Sequence, residues 1–492
     1  MKQNFLLLSL LVISNILFSV DPSTRLREDG KSESVGQTKK LMHSGNIEQA
    51  GVIQSTSQIS TISSPNLAAS SPVLPEPCRR GAGELGSVSV APKEHAKLKL
   101  LLVMVGEQKQ ELKNILDVVK KDLEFSGQFS VDIELAEHVA HKKEVAGLFT
   151  RGYSLALFFN ATDSNDGIEW RLYDTTQIVM LKGSKAQKRG MVLRGWAHNV
   201  SDAVWLALTG QEGFFSTKIA YCKEVSIKRK KKVNHVCVTD YDGSNEEPLD
   251  SKSTVHVALR WNKDRKNPLL FYSEFTNSNV RLMAVNMHKK RRVASDYDGV
   301  NMLPAFSGDG KRVVYCASRG KGTCQLYCYD KGELKKITSN QGNNVSPTFS
   351  DDGSKIFYCS DYQTGAPQIY CYDTDRNVQV CLTDGGYCAS PSFCGKQNRV
   401  AYSKIVNGIM QLCIYDLITK EHTQLTFDAG HKEESSWSPC GNYLIFSVEQ
   451  GAKSRIAMLN LITNDRQYIT PPSAICSYPA WSNVYDEFPV VA

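Results

Sequence analysis

The residue patterns that most often mark a catalytic or metal-binding site are missing from this sequence. No Cys-x-x-Cys or His-Glu-x-x-His pattern occurs, so a redox-active dithiol and a metalloprotease centre have no support. No serine has glycine two residues before and two residues after it, as a hydrolase nucleophile elbow requires. Gly30-Lys31-Ser32 resembles the end of a phosphate-binding loop, but Arg25 stands where that loop has its first glycine. We therefore expect a protein that is not an enzyme and has neither a cofactor nor a metal site.

Two histidines beside carboxylates are the remaining candidates for chemistry. His198 precedes Asp202 near the start of a predicted helix, where a structural role is a better interpretation than a ligand or a base. His431 lies in a predicted loop with Lys432, Glu433 and Glu434. That group of charges favours contact with a partner over catalysis.

The charge of the chain gives no reason to expect a nucleic-acid partner. It has 58 Lys and Arg against 51 Asp and Glu, a net charge of +7 spread over 492 residues. Two basic clusters, Lys228–Lys232 and Lys289–Arg292, could bind an anionic envelope polymer, because clustered cations add their attraction at low salt. Each cluster falls between predicted strands, so a solvated hairpin tip is the better interpretation.

The first 92 residues have the composition of a targeting segment and a linker. One lysine, an apolar run from Phe5 to Phe18 and a polar break are typical of a secretory signal peptide over residues 1–20, with an uncleaved anchor as the alternative. Residues 21–92 are predicted to be a disordered linker. Positions 51–75 hold nine Ser/Thr and three Pro, too little apolar area to offset the entropy of ordering. We therefore expect the chain to be exported.

Of the 14 cysteines, 13 lie from Cys222 onwards, in strand-like segments. In an exported chain they could form disulfides. Because they fall inside predicted strands rather than in loops, we interpret them as small buried apolar residues. Cys316 and Cys328, on neighbouring predicted strands, are the first pair to test for a disulfide.

Residues 93–213 are predicted to form a small α/β domain. The apolar run Leu98 to Val105 fits a buried strand, and the apolar residues from Leu112 to Leu123 follow helical spacing. The further elements are predicted, in order, as a strand over 131–135, a helix over 138–149, a strand over 154–160, a hairpin over 168–174 and 177–182, and a helix from about Asn199 to Thr209.

Residues 214–492 repeat one pattern with a period close to 44 residues. The repeating aromatic residues are Trp261, Phe306, Phe349, Phe393, Trp437 and Trp481, at spacings of 45, 43, 44, 44 and 44. In four copies a proline stands two residues before the aromatic residue. Such a period is typical of propeller blades of four strands.

The repeats predict six blades, one of them split between the two ends of the region. Strands over Lys218–Cys222 and Val233–Tyr241 lack a Pro-x-aromatic strand before them, whereas Pro479–Ser482 has no strands after it. Joining these halves closes the ring and removes open sheet edges, while an open β-solenoid would leave both halves unmatched. The predicted fold is an all-β six-bladed β-propeller, its C-terminal strand closing the first blade, preceded by a small α/β domain.

The repeat, and more specifically the junction between the two predicted domains, resembles the TolB propeller family. The residues that carry the resemblance are Ser201-Asp202-Ala203-Val204, Leu208-Thr209-Gly210, Gly213-Phe214, Lys218 to Tyr221, Asp240 to Gly243, Asp122-Leu123, Ser126-Gly127 and Phe129. The resemblance covers about residues 95–492. The chain departs from the family pattern in its long tail and at Leu259 and Ser435, which replace the repeat proline.

The resemblance implies a non-enzymatic binding protein of the Tol-Pal envelope system, in the periplasm of a Gram-negative bacterium. It implies that the propeller binds the lipoprotein Pal and that the N-terminal side binds Tol inner-membrane proteins such as TolA, in support of outer-membrane integrity and constriction at cell division. We expect a monomer that reaches the membrane only through these partners. The alternatives are an exported propeller for another envelope polymer or ligand, and the non-catalytic propeller of a peptidase-like protein.

The partner-binding residues are predicted on one rim of the propeller. The loop before each innermost strand lies on that rim, so residues far apart in sequence converge there. The predicted residues are Asn301, Leu303, Asn343, Asn344, Val345, Ser346, His431 and Glu433. Asn343 and Asn344 stand as in the family pattern, whereas Leu303 and Val345 depart from it. The alternative is that the asparagines satisfy only the backbone groups of turns.

Overall fold

The computed structural model describes residues 97–106, 109–137, 142–161, 167–187, 192–226, 232–252, 254–319 and 322–486. The predicted signal peptide and linker, and most of the first basic cluster, lie outside these residues. Within the described part of the chain, no helix is long and apolar enough to cross a membrane.

The N-terminal part of the described chain is a five-stranded sheet with helices on both faces. Its strands are β1 (Leu98–Val105), β2 (Phe129–Ala136), β3 (Leu155–Ala161), β4 (Gly167–Asp174) and β5 (Val179–Gln187), in spatial order β2-β1-β3-β4-β5. The helices are α1 (Gln110–Phe125), α2 (Lys142–Thr150) and α3 (Leu193–Thr209). β1 is parallel to β2 and β3, while β4 is antiparallel to both of its neighbours.

Side-chain alternation along β1 divides the core of this sheet into two layers. Leu100, Leu102 and Met104 pack with α1 and α3, and the residues between them pack with α2. Helix α3 begins six residues earlier than predicted, because Trp196 and Ala197 continue the buried stripe of the helix.

The strands β6 to β29 form six blades of four strands, of which the second and third are joined into one eight-stranded sheet by a parallel bridge between Val280 and Val300. Blade I contains β29 (Cys476–Trp481), β6 (Lys218–Ser226), β7 (Lys232–Asp240) and β8 (Glu247–Asp250). Blade II contains β9 (Val255–Trp261), β10 (Leu269–Phe275), β11 (Val280–Asn286) and β12 (Arg291–Ser295). Blade III contains β13 (Gly299–Phe306), β14 (Val313–Arg319), β15 (Gln325–Asp330) and β16 (Glu333–Lys336).

The other three blades follow in chain order. Blade IV contains β17 (Asn344–Phe349), β18 (Lys355–Ser360), β19 (Gln368–Asp373) and β20 (Val378–Cys381). Blade V contains β21 (Cys388–Cys394), β22 (Arg399–Val406), β23 (Ile409–Asp416) and β24 (His422–Gln424). Blade VI contains β25 (His431–Trp437), β26 (Tyr443–Gln450), β27 (Lys453–Asn460) and β28 (Arg466–Tyr468).

Blade I is completed by the C-terminal strand, as predicted. β29 pairs antiparallel with β6, with Trp481 opposite Ile219. Beyond the ladder, the Ser482 N–H donates to the Lys218 carbonyl at 2.8 Å, and Trp481 Nε1 donates to Thr217 Oγ1 at 2.8 Å. The predicted fold class, a six-bladed propeller preceded by a small α/β region, is confirmed. The boundaries of the two domains stay a prediction.

Every innermost strand carries a β-bulge at the same place in its blade. Two residues of the strand lie opposite one residue of the second strand, which is an aromatic residue in all six blades. The first bulge residue has a positive φ: these residues are Ala258, Leu303, Ser346, Ser390, Glu434 and Tyr478, with φ between 52° and 60°. The second is the repeat proline in four blades. The bulge explains that proline, because this position is unpaired in the ladder.

The repeating aromatic residue joins each blade to the one before it. Trp261 Nε1 donates to the Ala480 carbonyl at 3.1 Å, and Trp437 Nε1 donates to the Ser392 carbonyl at 2.8 Å. In blade V, Phe393 stacks on Phe357 of blade IV with ring centroids 5.2 Å apart. The 44-residue period therefore records the contact between blades as well as the length of a blade.

The 13 cysteines within the described residues are all free thiols, and 11 of them are buried. Cys316 lies opposite Leu326 and Cys328 opposite Val314, and these two cysteines do not form a disulfide. This agrees with the interpretation of the cysteines as small buried apolar residues.

Closure of blade I predicts the effect of removing β29. A chain that ends at residue 475 loses the buried Cys476, Ala480 and Trp481 and leaves the inner edge of β6 unpaired. We expect it to aggregate or to melt well below the full chain, since losing one buried tryptophan side chain alone costs about 3–5 kcal/mol. A chain that ends at Asp486 is the control. Equal melting temperatures and equal monodispersity of the two truncated chains would contradict the prediction.

Candidate interaction surface

The predicted rim residues lie at or just before the start of β13, β17 and β25, at one end of the propeller. Because neighbouring strands in a blade are antiparallel, the hairpins between second and third strands open at the same end. The α/β region contacts the other end, where Tyr443 Oη donates to the Phe125 carbonyl at 3.2 Å. The rim is therefore left uncovered by the α/β region.

Two of the predicted rim asparagines are buried and hold the backbone of their own loops. Asn344 Nδ2 donates to Asn340 Oδ1 at 2.8 Å and to the Gly342 carbonyl at 3.1 Å. Asn301 Nδ2 donates to the carbonyls of Tyr297, at 2.6 Å, and Val280, at 3.1 Å. Both side chains are fully buried. They satisfy turn backbone, which was the alternative interpretation of these asparagines.

Three further predicted residues are also buried. Leu303 and Ser346 are the first residues of their bulges, and Val345 packs inside blade IV. Five of the eight predicted side chains are therefore buried, and their part in partner binding stays a prediction. The burial has a simple cause: the innermost strands are buried on both faces, with every residue buried from Val300 to Ala305 and from Asn344 to Pro347.

The other three predicted residues, Asn343, His431 and Glu433, are half-buried at the rim. Asn343 connects blades, because its N–H donates to Asp361 Oδ1 at 2.7 Å and its Oδ1 accepts from the Cys324 N–H at 3.2 Å. His431 Nδ1 accepts a hydrogen bond from the Met410 N–H at 3.1 Å. Burial lowers the pKa of His431, which agrees with that acceptor role. Their part in partner binding stays a prediction.

Sequence reasoning missed the exposed apolar side chains of the same rim. They are Tyr297, Tyr362, Ile405 and Phe427, with exposed fractions of 49%, 42%, 40% and 68%. Tyr297 also carries the Arg319 guanidinium over its ring, 4.4 Å from the centroid. Exposed aromatic residues are enriched in protein interfaces. The available signal was an aromatic residue inside turn sequences such as Asp361-Tyr362, where loops ordinarily hold polar residues.

A buried lysine holds the loop that presents Phe427 in place. Lys432 is fully buried. Its Nζ lies 3.0 Å from the Ala429 carbonyl oxygen and 3.0 Å from Asp428 Oδ1, and the same Nζ contacts the Asp428 carbonyl oxygen. Arg466 NH1 pairs with Asp428 Oδ2 at 2.8 Å. These contacts hold Phe427 exposed on an ordered loop, which lowers the entropy cost of binding a partner through it.

A buried polar network lies where the α/β region meets the propeller. Asp122 of α1 accepts from Tyr241 Oη at its Oδ1, at 2.8 Å, and from Ser201 Oγ at its Oδ2, at 2.7 Å. His198 Nδ1 lies 2.8 Å from the same Oδ2. His198 Nε2 lies 3.7 Å from Asp240 Oδ2 of β7. Ser201 contacts Asp122 rather than His198, so no nucleophile and base are paired. The structural role predicted for His198 agrees with this geometry.

Protonation of His198 links the two parts of the chain. Although burial opposes it, hydrogen bonds and attraction from Asp122 and Asp240 raise the pKa of His198 to about 9. His198 and Lys218 together lower the pKa of Asp240 below its ordinary value despite burial. At neutral pH the imidazolium therefore lies between carboxylates of α1 and β7.

The position of the Asp202 side chain requires a glycine at position 213 of the junction sequence. Its carboxylate accepts from the backbone N–H groups of Phe215, at 2.8 Å, and Ser216, at 3.0 Å. A Cβ atom added to Gly213 would lie 2.2 Å from Asp202 Oδ1. The turn that leads into the propeller therefore needs both the carboxylate and the absence of a side chain at 213.

The second basic cluster includes a half-buried arginine, which corrects the expectation of a wholly solvated hairpin tip. Arg291 Nε lies 2.9 Å from Asp250 Oδ2, and its NH2 lies 2.6 Å from Glu274 Oε1. Asp250, Glu274 and His256 are buried and offer donor atoms within 4.8 Å of one another, an arrangement that suits a cation. The guanidinium already supplies that charge, and the cluster joins blade I to blade II.

Comparisons with known proteins bear on this arrangement of blades. Residues 205–485 match the family described as the TolB beta propeller domain. The Tol-Pal system protein TolB of Rickettsia prowazekii (strain Madrid E) is 28% identical over 220 residues, which cover 43% of this chain and 49% of that protein. The protein of the same name from Francisella tularensis subsp. holarctica (strain OSU18) is 32% identical over 156 residues, 30% of this chain and 35% of that protein. The chain spans about half or less of these relatives.

A solved structure extends the likeness in fold over more of the chain. The crystal structure of TolB from Acinetobacter baumannii superimposes with a TM-score of 0.67 at 23% identity. The superposition covers 80% of this chain and 98% of that chain.

Removing the Arg291 guanidinium is expected to destabilise the contact between blades I and II. Arg291→Met leaves Asp250 and Glu274 buried without their shared counter-ion, which costs about 3–5 kcal/mol of unfolding free energy. Arg292→Met, at the exposed neighbouring position, is expected to change it by less than about 0.5 kcal/mol. Urea denaturation of the two variants measures the difference. Equal effects would show that Arg291 is no more than a solvated tip residue.

The raised pKa of His198 predicts a pH-dependent stability. Stabilisation by a protonated His198 is complete below pH 6.5 and is lost as the pH rises through about 9. Across that window the unfolding free energy of the wild type is expected to fall by roughly 3 kcal/mol relative to His198→Gln. Urea denaturation at several pH values, with the exposed His288→Gln as control, measures this. If the unfolding free energies of the wild type and the His198→Gln variant changed with pH in parallel, His198 would not be charged in the folded protein at neutral pH.

Proposed function

The chain belongs to the TolB β-propeller domain family, and on that premise we propose that it is a binding protein whose propeller rim docks a protein partner. The observation that carries the proposal is the Phe427 loop. Lys432 is buried and donates hydrogen bonds to the carbonyls of Asp428 and Ala429, whereas the neighbouring Phe427 is 68% exposed. Phe427 is one of four exposed apolar side chains at this rim, with Tyr297, Tyr362 and Ile405, and it is their grouping, rather than the exposure of one residue, that favours a partner-binding surface.

The rim has the composition of an interface centre rather than of a catalytic site. Tyr297, Tyr362 and Phe427 supply aromatic surface, and half-buried polar groups such as Asn343 lie among them. Interfaces commonly combine aromatic anchors with a polar surround. We propose on this basis that the protein acts by binding and not as an enzyme.

The partner at the rim is proposed to be the peptidoglycan-associated lipoprotein Pal. Support comes from the names of the curated relatives, which are proteins of the Tol-Pal system. The N-terminal side is proposed to contact Tol inner-membrane proteins such as TolA. In this role the protein resides in the periplasm and supports outer-membrane integrity and constriction at cell division.

A charge placed on the Phe427 loop is expected to weaken Pal binding without weakening the fold. Phe427→Asp in the full chain should reduce affinity for purified Pal at least tenfold, the usual loss at an interface anchor, while the melting temperature stays nearly unchanged because the position is exposed. Titration calorimetry measures the affinity. Ile418→Asp is the matched control, since Ile418 is 72% exposed in the hairpin between β23 and β24 at the opposite end of blade V.

Two outcomes would contradict the proposal. Undiminished Pal binding by folded Phe427→Asp and Tyr362→Asp variants would show that the Pal site does not lie on this rim. Absence of Pal binding by the wild-type chain would remove Pal as the partner.

A further inference from the structure

The five-stranded sheet of the α/β region ends in an open edge at β5. Among the described residues, β5 pairs with β4 and with no other strand. It is nine residues long, and every described side chain from Thr176 to Lys185 is exposed. Its outward N–H and C=O groups therefore form a ready template for another strand.

The start of β5 is apolar although it lies in water. Val179, Met180 and Leu181 are consecutive, with exposed fractions of 48%, 52% and 41%. Alternation places consecutive side chains on different faces of a sheet, so apolar surface is offered on both faces of this edge. An exposed apolar edge strand ordinarily promotes association, and natural proteins usually avoid it.

Ile178, in the turn before β5, has a strained backbone conformation that destabilises the fold. Its φ is 57°, a conformation in which a β-branched residue is strained and where Gly or Asn would fit better. The side chain is 38% exposed, so burial gives little compensation. The choice of isoleucine extends the apolar surface of β5 by one residue.

The charges along this edge select the kind of strand that can join it. On one face of the sheet, Lys185 and Arg171 of the adjacent strand share one carboxylate, Glu169, at 3.4 Å from Lys185 and 2.8 Å from Arg171. Lys182 lies on the other face, where the Asp174 carboxylate accepts a hydrogen bond from the Thr176 N–H of its own turn. This excess of positive charge suits a strand that carries Asp or Glu. It disfavours a second copy paired through its own β5, because the lysines of both copies would meet.

The other edge of the sheet has no such excess. On β2, Glu134 pairs with Arg151, and Asp132 accepts a hydrogen bond from Tyr153 Oη at 3.0 Å. The carboxylates of β2 are therefore already engaged within the molecule, and β2 serves as a matched control edge.

We propose that β5 is a strand-addition site that takes an extended, mainly apolar segment of a partner protein with two acidic residues three positions apart, so that one carboxylate lies on each face of the sheet. The segment lies along the outer edge of β5 as a sixth strand of the sheet. Backbone hydrogen bonds hold it there, its carboxylates pair with Lys182 and Lys185, and its apolar residues cover Val179 to Leu181. The site is separate from the propeller rim and does not depend on the identity of the partner at that rim.

The test uses the full chain and a fluorescent, acetylated and amidated nonapeptide of Val and Thr with Glu at positions 3 and 6, one glutamate on each face. Anisotropy titration at low salt should show saturable binding that weakens as salt is added. The variant Lys182→Glu/Lys185→Glu should bind this peptide at least tenfold more weakly and should bind instead the same peptide with Lys in place of Glu. Leu135→Thr, on β2, should leave binding unchanged. If the double variant fails to fold, Met180→Thr should weaken binding in its place.

Two further comparisons separate strand addition from simple charge attraction. Two forms of the peptide carry N-methyl groups on alternate residues, one form at the odd and one at the even positions. Only one form should bind, because the other cannot complete the backbone hydrogen bonds to β5. Ile178→Asn should weaken binding several-fold while the melting temperature stays the same or rises, since the strain at this position is relieved.

Four outcomes would overturn the proposal. These are no saturable binding by the wild type, equal binding of both N-methylated forms of the peptide, self-association of the chain that the Lys182→Glu/Lys185→Glu variant abolishes, and tighter peptide binding after residues 21–92 are deleted. The third result would show that a second copy fills the edge, and the fourth that a segment of the chain itself fills it.

Discussion

Pairing of β29 with β6 is the contact on which the rest of the propeller depends. The six-bladed ring is closed by strand pairing and not by a covalent bond. The innermost strand of the first blade is β29, the last strand of the described chain. Each blade is then held on both sides, through contacts such as that of Trp261 with the Ala480 carbonyl. Because closure joins the sequence-distant ends, the positions of all rim loops are set together rather than one blade at a time.

Within the closed ring, repeated bulges and local polar contacts decide what each loop presents. Leu303 and Ser346, the first residues of their bulges, are buried, and the second bulge position places the repeat proline where no ladder hydrogen bond is lost. Buried side chains such as Asn344 and Lys432 hold the loops by their carbonyls. Phe427 is exposed as a result of that support, so the rim combines rigid loops with apolar surface.

The sequence predicted the fold well because its signal is periodic. Six aromatic residues about 44 positions apart record a contact that recurs in every blade, and the unmatched ends record closure. The rim residues were predicted from the position of their loops alone, which cannot show that a side chain such as Asn344 turns inwards and bonds to its own turn. Arg291 was misjudged for another reason. Its partners Asp250 and Glu274 are distant in sequence, so a run of basic residues alone could not show that one of them is half-buried.

The central claim is that the rim away from the α/β region is the surface that docks a protein partner. Hydrogen exchange of the full chain, followed by mass spectrometry with and without purified Pal, tests it most directly because it surveys every loop at once. The account predicts slower exchange on binding in the loops that carry Tyr297, Tyr362 and Phe427, with no change in the hairpin that carries Ile418. Protection confined to the α/β region or to the opposite end of the propeller would contradict it.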